Sequence, residues 1–200
     1  MSMGSSELNY HLEIIRLPTV ALWYLVQQSI QDNPVLEVLS GDPLYNLLDP
    51  DGITPDASVM LTTSGDCTVR ILDDWAQGLR IDSRYTELLD RQDIDPKKRA
   101  YIQRKCQASR RLFDAIAARH GVLTQVIQVI AHHQKAFLEA GDEFLQVLSL
   151  SLIAKEAQLR ETTVRMTVEG KWLQVPRGLF ALPHLLKGFE AVKNGPPPLN

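Results

Sequence analysis

Apolar residues at the start of the chain recur at helical spacing. Leu8, Leu12 and Ile15 share one face of a first run, and Leu22, Leu25, Val26 and Ile30 share one face of a second, with Gln27, Gln28 and Gln31 between them. Pro18 divides the two runs and Thr19 stands where it can cap the second. Asn33-Pro34 then stops it, because proline has no N–H and disfavours a helical predecessor. The pattern predicts a small amphipathic helical hairpin. So short a unit buries little apolar surface alone, so it is either a packing element or a detachable partner-binding motif. Residues 39–57 lose the periodicity to Gly41, Asp42, Pro43, Asp49, Pro50, Asp51, Gly52, Pro55 and Asp56, which is turn chemistry in an acidic linker. Two β-type runs, Val59–Thr63 and Cys67–Leu72, flank Ser64-Gly65-Asp66 and predict a β-hairpin.

From Asp95-Pro96 the pattern turns helical again. In a helix over about 97–119, Tyr101, Cys106 (or Lys105), Ser109, Leu112, Phe113 and Ile116 outline an apolar face. Lys97, Arg104 and Arg111 repeat every seven residues, about two turns, and line an opposite face that Lys98, Lys105 and Arg110 widen. No acid interrupts residues 97–113. Such a face is either simply solvated or meets an anionic partner, and the lack of i,i+4 acids favours the partner. Two further helices are expected near 122–139, through Val122, Val126, Val129, Ile130, His133 and Phe137, with Gly141 as their stop. Leu150–Ala157, the joint Gln158-Leu159-Arg160 and Glu161–Thr167 then have helix-turn-helix spacing. Ala154 is small where the helices approach, and Leu159 and Val164 point inward. Arg160, Thr162, Thr163, Arg165 and Lys171 are expected to face outward, and they are of the types that contact phosphates and bases.

Charge sharpens this division. The formal net charge of the 200 residues is only −3, yet residues 1–96 carry 5 basic and 16 acidic side chains while residues 97–200 carry 16 and 8. An asymmetry of that kind hints at nucleic-acid or partner binding. Hydrophobic content of 44 % suits a folded chain. No apolar run reaches 18 residues, and the N-terminus lacks a basic and an apolar signal region, so neither a membrane span nor secretion is expected. Cys67 and Cys106 form no metal-ligand spacing, and His132-His133 point about 100° apart on a helix, so no metal is expected. Phosphate loops and HExxH or GxSxG elements are missing, and the carboxylates of the first half are dispersed among turn residues. The reading is therefore a binding protein without cofactor, not an enzyme. Its expected fold is mainly α: a helical bundle with a helix-turn-helix and a small β-hairpin.

Several stretches, in order, resemble the sigma-54 class of bacterial RNA polymerase sigma factors. Residues 11–37 resemble that family's N-terminal regulatory region, a Leu/Gln-rich helix pair closing on Asn-Pro-Leu-Leu-Glu, here with Asn33, Pro34, Leu36 and Glu37. Leu79-Arg80-Ile81-Asp82 with Tyr85 resembles the segment opening its core-polymerase-binding domain. Arg119, Leu123, Val126, Gln134, Phe137 and Gly141 match a further family run, and Glu161-Thr162-Thr163-Val164 its His-Glu-Ser-Thr-Val turn and helix. Pro176-Arg177-Gly178-Leu179-Phe180-Ala181-Leu182 resembles its Pro-Arg-Gly-x-Phe-x-Leu segment. The departures are Val122 for the motif Thr, Val147 for a Pro, Leu152 for an Asp, Arg160 for the His and Arg165-Met166 for Ser-Arg.

The resemblance implies a regulatory hairpin at 1–38, an acidic linker at 39–57, a core-polymerase-binding domain at 58–143, a helix-turn-helix region at 144–190 and a flexible tail at 191–200. It implies an ATP-driven AAA+ activator received by Leu17, Leu22, Leu25, Ile30, Asn33, Pro34 and Leu36. Core RNA polymerase would be gripped through Leu79, Arg80, Ile81, Tyr85, Lys97, Arg104, Arg111, Arg119, Gln134 and Phe137. Promoter DNA would be met by Arg160, Thr162, Thr163, Arg165, Lys171 and Arg177. The family's C-terminal promoter-box domain is not expected in this chain, which runs to Asn200. The implied role is a non-catalytic initiation factor of the cytoplasm and nucleoid. A stand-alone helix-turn-helix regulator, or a degenerate relative without sigma activity, is the alternative.

Overall fold

A computed structural model describes residues 4–38, 53–62 and 66–186 of the chain. Most of the acidic linker, the turn of the β-hairpin and the tail expected at 191–200 lie outside the described residues. The mainly α architecture is borne out. Helices α1 (Ser5–Arg16) and α2 (Thr19–Asp32) form the expected hairpin around Leu17-Pro18. Thr19 does not cap α2, however; Pro18 is the N-cap, and the Thr19 side chain is turned to another use. Strands β1 (Leu36–Val38), β2 (Ala57–Leu61) and β3 (Cys67–Ile71) follow, then a 3-10 turn over Asp74–Gly78, β4 (Leu79–Ile81) and helix α3 (Ser83–Asp90).

The centre of the molecule is α4 (Pro96–His133), a single helix of 38 residues and therefore about 57 Å long. Asp95 caps it by accepting Lys98 N–H at 3.0 Å, and Pro96 occupies the first turn, where its missing N–H costs nothing. The break expected near residue 120 does not occur. Gly121 sits exposed inside the helix, and the buried stripe of Ile116, Arg119, Leu123, Val126, Ile127 and Ile130 runs straight past it. Tertiary packing of that stripe outweighs the weak helix propensity of one glycine. The apolar face also differs at its start: Ile102 is buried, whereas Tyr101 is exposed.

After α4 come α5 (Lys135–Ala140), a 3-10 turn over Asp142–Phe144, and the pair α6 (Leu150–Glu156) and α7 (Glu161–Val168). Gly141 stops α5 with φ +112, as its type allowed. Ser149 caps α6 by accepting Leu152 N–H, and Gln158 takes φ +55 to turn the chain between the two helices. The helix-turn-helix boundaries match those expected from the sequence to within a residue. Strands β5 (Trp172–Val175) and β6 (Gly178–Ala181) and a 3-10 turn over Leu182–Leu185 complete the described fold.

Sheet pairing joins segments far apart in sequence. The larger sheet has the order β3-β2-β5-β6, antiparallel except between β2 and β5, which run parallel with Ala57 opposite Leu173. Its inner face and the C-terminal half of α4 enclose one core with α6 and α7, built on Leu123, Ile127, Ile130, Phe137, Ile153, Val164 and Leu173. The smaller sheet pairs β1 with β4, and Glu37 meets Arg80 across it. A second core seats the hairpin: Ile14, Leu22 and Val26 pack on Leu112, Ala115 and Ile116 of α4, with Leu36 and Trp75.

Candidate nucleic-acid interface

The helix-turn-helix presents Arg160, Glu161, Thr162 and Arg165 as an exposed edge at the start of α7, with Arg177 also exposed on the β5–β6 turn. Two residues expected on this edge are elsewhere. Thr163 is buried in the second helix among the core contacts, where its carbonyl accepts the Thr167 hydroxyl at 2.7 Å. Lys171 is fully buried at 0 % exposure, so it meets no ligand at this surface. Helical spacing carried past α7 puts it outward, but α7 ends at Val168 and Lys171 falls in the inward phase of the strand, with Leu173 and Val175.

The basic stripe of α4 is partly committed. Lys97, Lys98, Arg104 and Arg110 are exposed, and exposed Tyr101 lies beneath Arg104 and Lys105, with the cations 5.8 and 5.7 Å from its ring centre. Lys105 and Arg111 serve the hairpin instead. Lys105 donates to Asp32 O at 2.7 Å, while Arg111 donates to Ser6 O at 3.0 Å and covers the Tyr10 ring at 4.3 Å. A tyrosine edge flanked by cations on an exposed helix can meet polyanions by charge and by stacking.

Three residues expected to grip a polymerase are buried. Gln134 is 0 % exposed and staples the end of α4 to two later segments: its amide donates to Gln146 O and Leu185 O, both at 2.9 Å, and accepts Gln146 N–H at 3.0 Å. Phe137 is a core ring, packed edge-on against Phe180. Arg119 is the third, at the heart of an ion cluster. On the hairpin, Leu22, Asn33 and Leu36 are likewise buried, whereas Leu17, Leu25 and Ile30 are half-buried and Pro34 is exposed. Asn33 donates to Ser109 Oγ at 2.9 Å and accepts Val35 N–H, so it fastens the end of α2 to α4.

The cluster assembles four ionisable side chains, each 2 % exposed or less: Asp56, Asp73, Arg119 and Lys171. Arg119 donates to Asp56 at 3.1 Å, Asp73 at 3.0 Å, Leu17 O at 3.1 Å and the Thr19 hydroxyl at 3.1 Å. Asp56 accepts Thr19 N–H at 2.6 Å, the Thr19 hydroxyl at 3.0 Å and Trp172 N–H at 2.9 Å. Asp73 also meets His120 Nδ1 at 3.0 Å. Lys171 donates to Arg16 O at 2.9 Å. Burial pushes the Asp56 carboxyl up, against the pull of Arg119 and the two backbone donors. Paired carboxylates in a buried setting thus exist after all, but they answer an arginine and the hairpin turn rather than a reacting group. Sequence reasoning missed them because Asp56 sits in an acidic turn region and Asp73 in a loop, while the arginine they share lies 63 and 46 residues away. Among the described residues, no group of three or more His, Cys, Asp and Glu could hold a metal ion, and no helix is long and apolar enough to cross a membrane.

Known proteins place this arrangement in context. The model of a family described as "Sigma-54, DNA binding domain" matches residues 99–195, which take in nearly all of α4 and everything described after it. The RNA polymerase sigma-54 factor of Salmonella typhimurium is 26 % identical over 170 residues, covering 84 % of this chain and 33 % of that protein. That of Acinetobacter guillouiae is 32 % identical over 117 residues, covering 58 % and 24 %. The chain thus spans about a third or less of the length of these relatives. The crystal structure of Aquifex aeolicus sigmaN bound to promoter DNA superposes with a TM-score of 0.51 over 66 % of this chain and 39 % of that one, at 20 % identity, a likeness of fold.

Proposed function

The chain belongs to the sigma-54 class of bacterial RNA polymerase sigma factors, and from that premise we propose that it is a promoter-binding transcription initiation factor acting by binding rather than by covalent chemistry. The observation that carries the reading is the coincidence of the matched DNA-binding region with the exposed edge of α7, where Arg160, Thr162 and Arg165 stand together at a helix N-terminus. Side chains so placed enter a groove, with cations on phosphates and hydroxyls on phosphates or base edges. Arg177 and the free part of the α4 stripe, Lys97 and Arg104, extend the positive surface.

Core RNA polymerase is the proposed second partner, met through the exposed parts of 58–143: Arg80, Lys97, Arg104 and the half-buried Leu79, Ile81 and Tyr85. An ATP-driven AAA+ activator is the proposed third, approaching the accessible surface of the 1–38 hairpin at Leu17, Leu25, Ile30 and Pro34. The hairpin turn is fastened to α4, β2 and β5 by the ion cluster, which supports its reading as a restraint to be pulled away. The division of labour among 1–38, 58–143 and 144–190 is part of the same proposal, with the bacterial cytoplasm and nucleoid as its setting.

Fluorescence anisotropy with duplex promoter DNA tests the reading. Arg160→Glu with Arg165→Glu should weaken binding more than tenfold and reduce the slope of log K against log salt by about 2, since each lost phosphate contact removes about 0.9. The same variant should keep its retention on core polymerase in a pull-down. Absence of DNA binding by the unaltered chain at low salt would sink the reading. DNA binding with no polymerase retention would instead select the stand-alone helix-turn-helix regulator.

A further inference from the structure

Lys171 belongs to none of the surfaces above, although it touches both the hairpin and the helix-turn-helix. It stands between α7 and β5, fully buried. Its Nζ donates to Arg16 O, at the end of α1, at 2.9 Å, and to Met166 O, in the last turn of α7, at 3.5 Å. Among the described residues no carboxylate lies within ion-pair distance of it. A neutral amine has two N–H donors and finds two carbonyls here; an ammonium brings a third proton that no described acceptor takes. A buried charge without a counter-ion is disfavoured.

The charged groups around it come from every neighbouring element. Arg16 on α1 and Arg119 on α4 oppose its protonation, while Asp56 ahead of β2 and Glu169 after α7 favour it. Arg119 is itself held by Asp73, which also meets His120. Arg16 and Glu169 pair at 3.6 Å directly across the same junction. Burial dominates, and it brings the amine down from 10.5 to about 7.

We propose that Lys171 is a proton-linked clasp between the N-terminal hairpin and the helix-turn-helix, held as a neutral amine while the hairpin is docked and taking up a proton from solvent when it undocks. Falling pH then favours release, and rising pH favours docking. The two partners of the clasp are the last turn of α1 and the last turn of α7, so one side chain touches both the hairpin and the second helix of the pair. The clasp adds regulation to the proposed factor and depends only on the docked hairpin, not on DNA or polymerase binding.

Hydrogen exchange on the full chain between pH 7.5 and 9.5, above the ordinary histidine range, tests it. After correction for intrinsic exchange, the opening constant of α1 and α2 amides should fall about tenfold per pH unit, the signature of one proton taken up on opening. Amides of Leu123–Ile130 should stay more protected than the hairpin throughout. The slope should persist in Asp56→Asn and vanish in Lys171→Met. A flat hairpin profile in the unaltered chain would overturn the clasp, as would a slope lost in Asp56→Asn but kept in Lys171→Met. So would simultaneous opening of the hairpin and Leu123–Ile130. The Lys171 13Cε chemical shift of the unaltered chain needs no variant: a midpoint near 7 is expected, and one in the ordinary lysine range refutes the clasp. A failure of DNA binding would leave all of these readouts in place.

Discussion

Arg119 donates to four oxygens on three other segments, all in a setting closed to water. Replacing it with methionine would leave Asp56 and Asp73 buried without their guanidinium and take from Leu17 O its side-chain donor. Breaking one side of a buried ion pair costs about 3–5 kcal/mol. Arg119→Met should therefore lower the calorimetric Tm by roughly 10 °C in a chain of this size. Combining it with Asp56→Asn and Asp73→Asn should recover part of the loss, because the uncompensated charge and not the missing contact is the main penalty. If Arg119→Met alone left the Tm within a degree or two, the cluster would be ornamental. The burial of Arg119 was legible in principle. It continues the stripe of Leu112, Ala115 or Ile116, Leu123 and Val126 at steps of three and four, a phase in which a solvated arginine has no place. Lys171 left a similar trace, since it alternates with buried Leu173 and Val175.

At the scale of elements, the local signals carried furthest. The α1–α2 break at Pro18, the stop at Asn33-Pro34, the start of α4 at Asp95-Pro96 and the α6–α7 joint all depend on neighbours within a few residues, and each sits where those neighbours put it. The helix break expected between residues 119 and 122 falls at Gly121, the weakest helix former of that stretch. Only the packing of Leu123 to Ile130 against the sheet decides otherwise. The two helix glycines near α4 and α5 should therefore respond oppositely to alanine. At Gly121 a Cβ meets nothing within 4 Å, so Gly121→Ala should stabilise by up to about 1 kcal/mol. At Gly141 the φ of +112 suits glycine, and a Cβ would stand 2.6 Å from Arg177 Nη2. Gly141→Ala should destabilise by about 1–3 kcal/mol and displace the Arg177 guanidinium from its place against the end of α5. Urea melts of the two variants, read side by side, would expose an error in either direction.

Across the whole molecule, the acidic and basic halves are not separate bodies. The acidic half supplies β2, β3, Asp56 and Asp73, and the basic half supplies α4, β5, Arg119 and Lys171 that close around them. The parallel pairing of β2 with β5 brings Asp56 to Trp172 across 116 residues, a distance at which no periodicity speaks. That is why the exposure of Arg160, Thr162 and Arg165 was legible in the sequence, whereas the burial of Thr163 and Lys171 and the ion cluster were not. The same architecture predicts what removal of the hairpin would do. Deleting residues 1–34 takes away Ile14, Leu22 and Val26, which cover Leu112, Ala115 and Ile116, and frees Arg119 and Lys171 of three of their oxygen partners. The core around Leu123, Ile127, Phe137, Ile153 and Val164 contains no hairpin residue and should persist. The truncated chain should bind the dye ANS through the bared α4 face, melt at a lower temperature, and still protect its Leu123–Ile130 amides from exchange. Its α7 edge remains built on that surviving core, so duplex DNA binding should fall less than threefold. Collapse of protection across Leu123–Ile130 in the truncated chain would mean that the hairpin completes the fold instead of resting on it, and its role as a removable restraint would have to be abandoned.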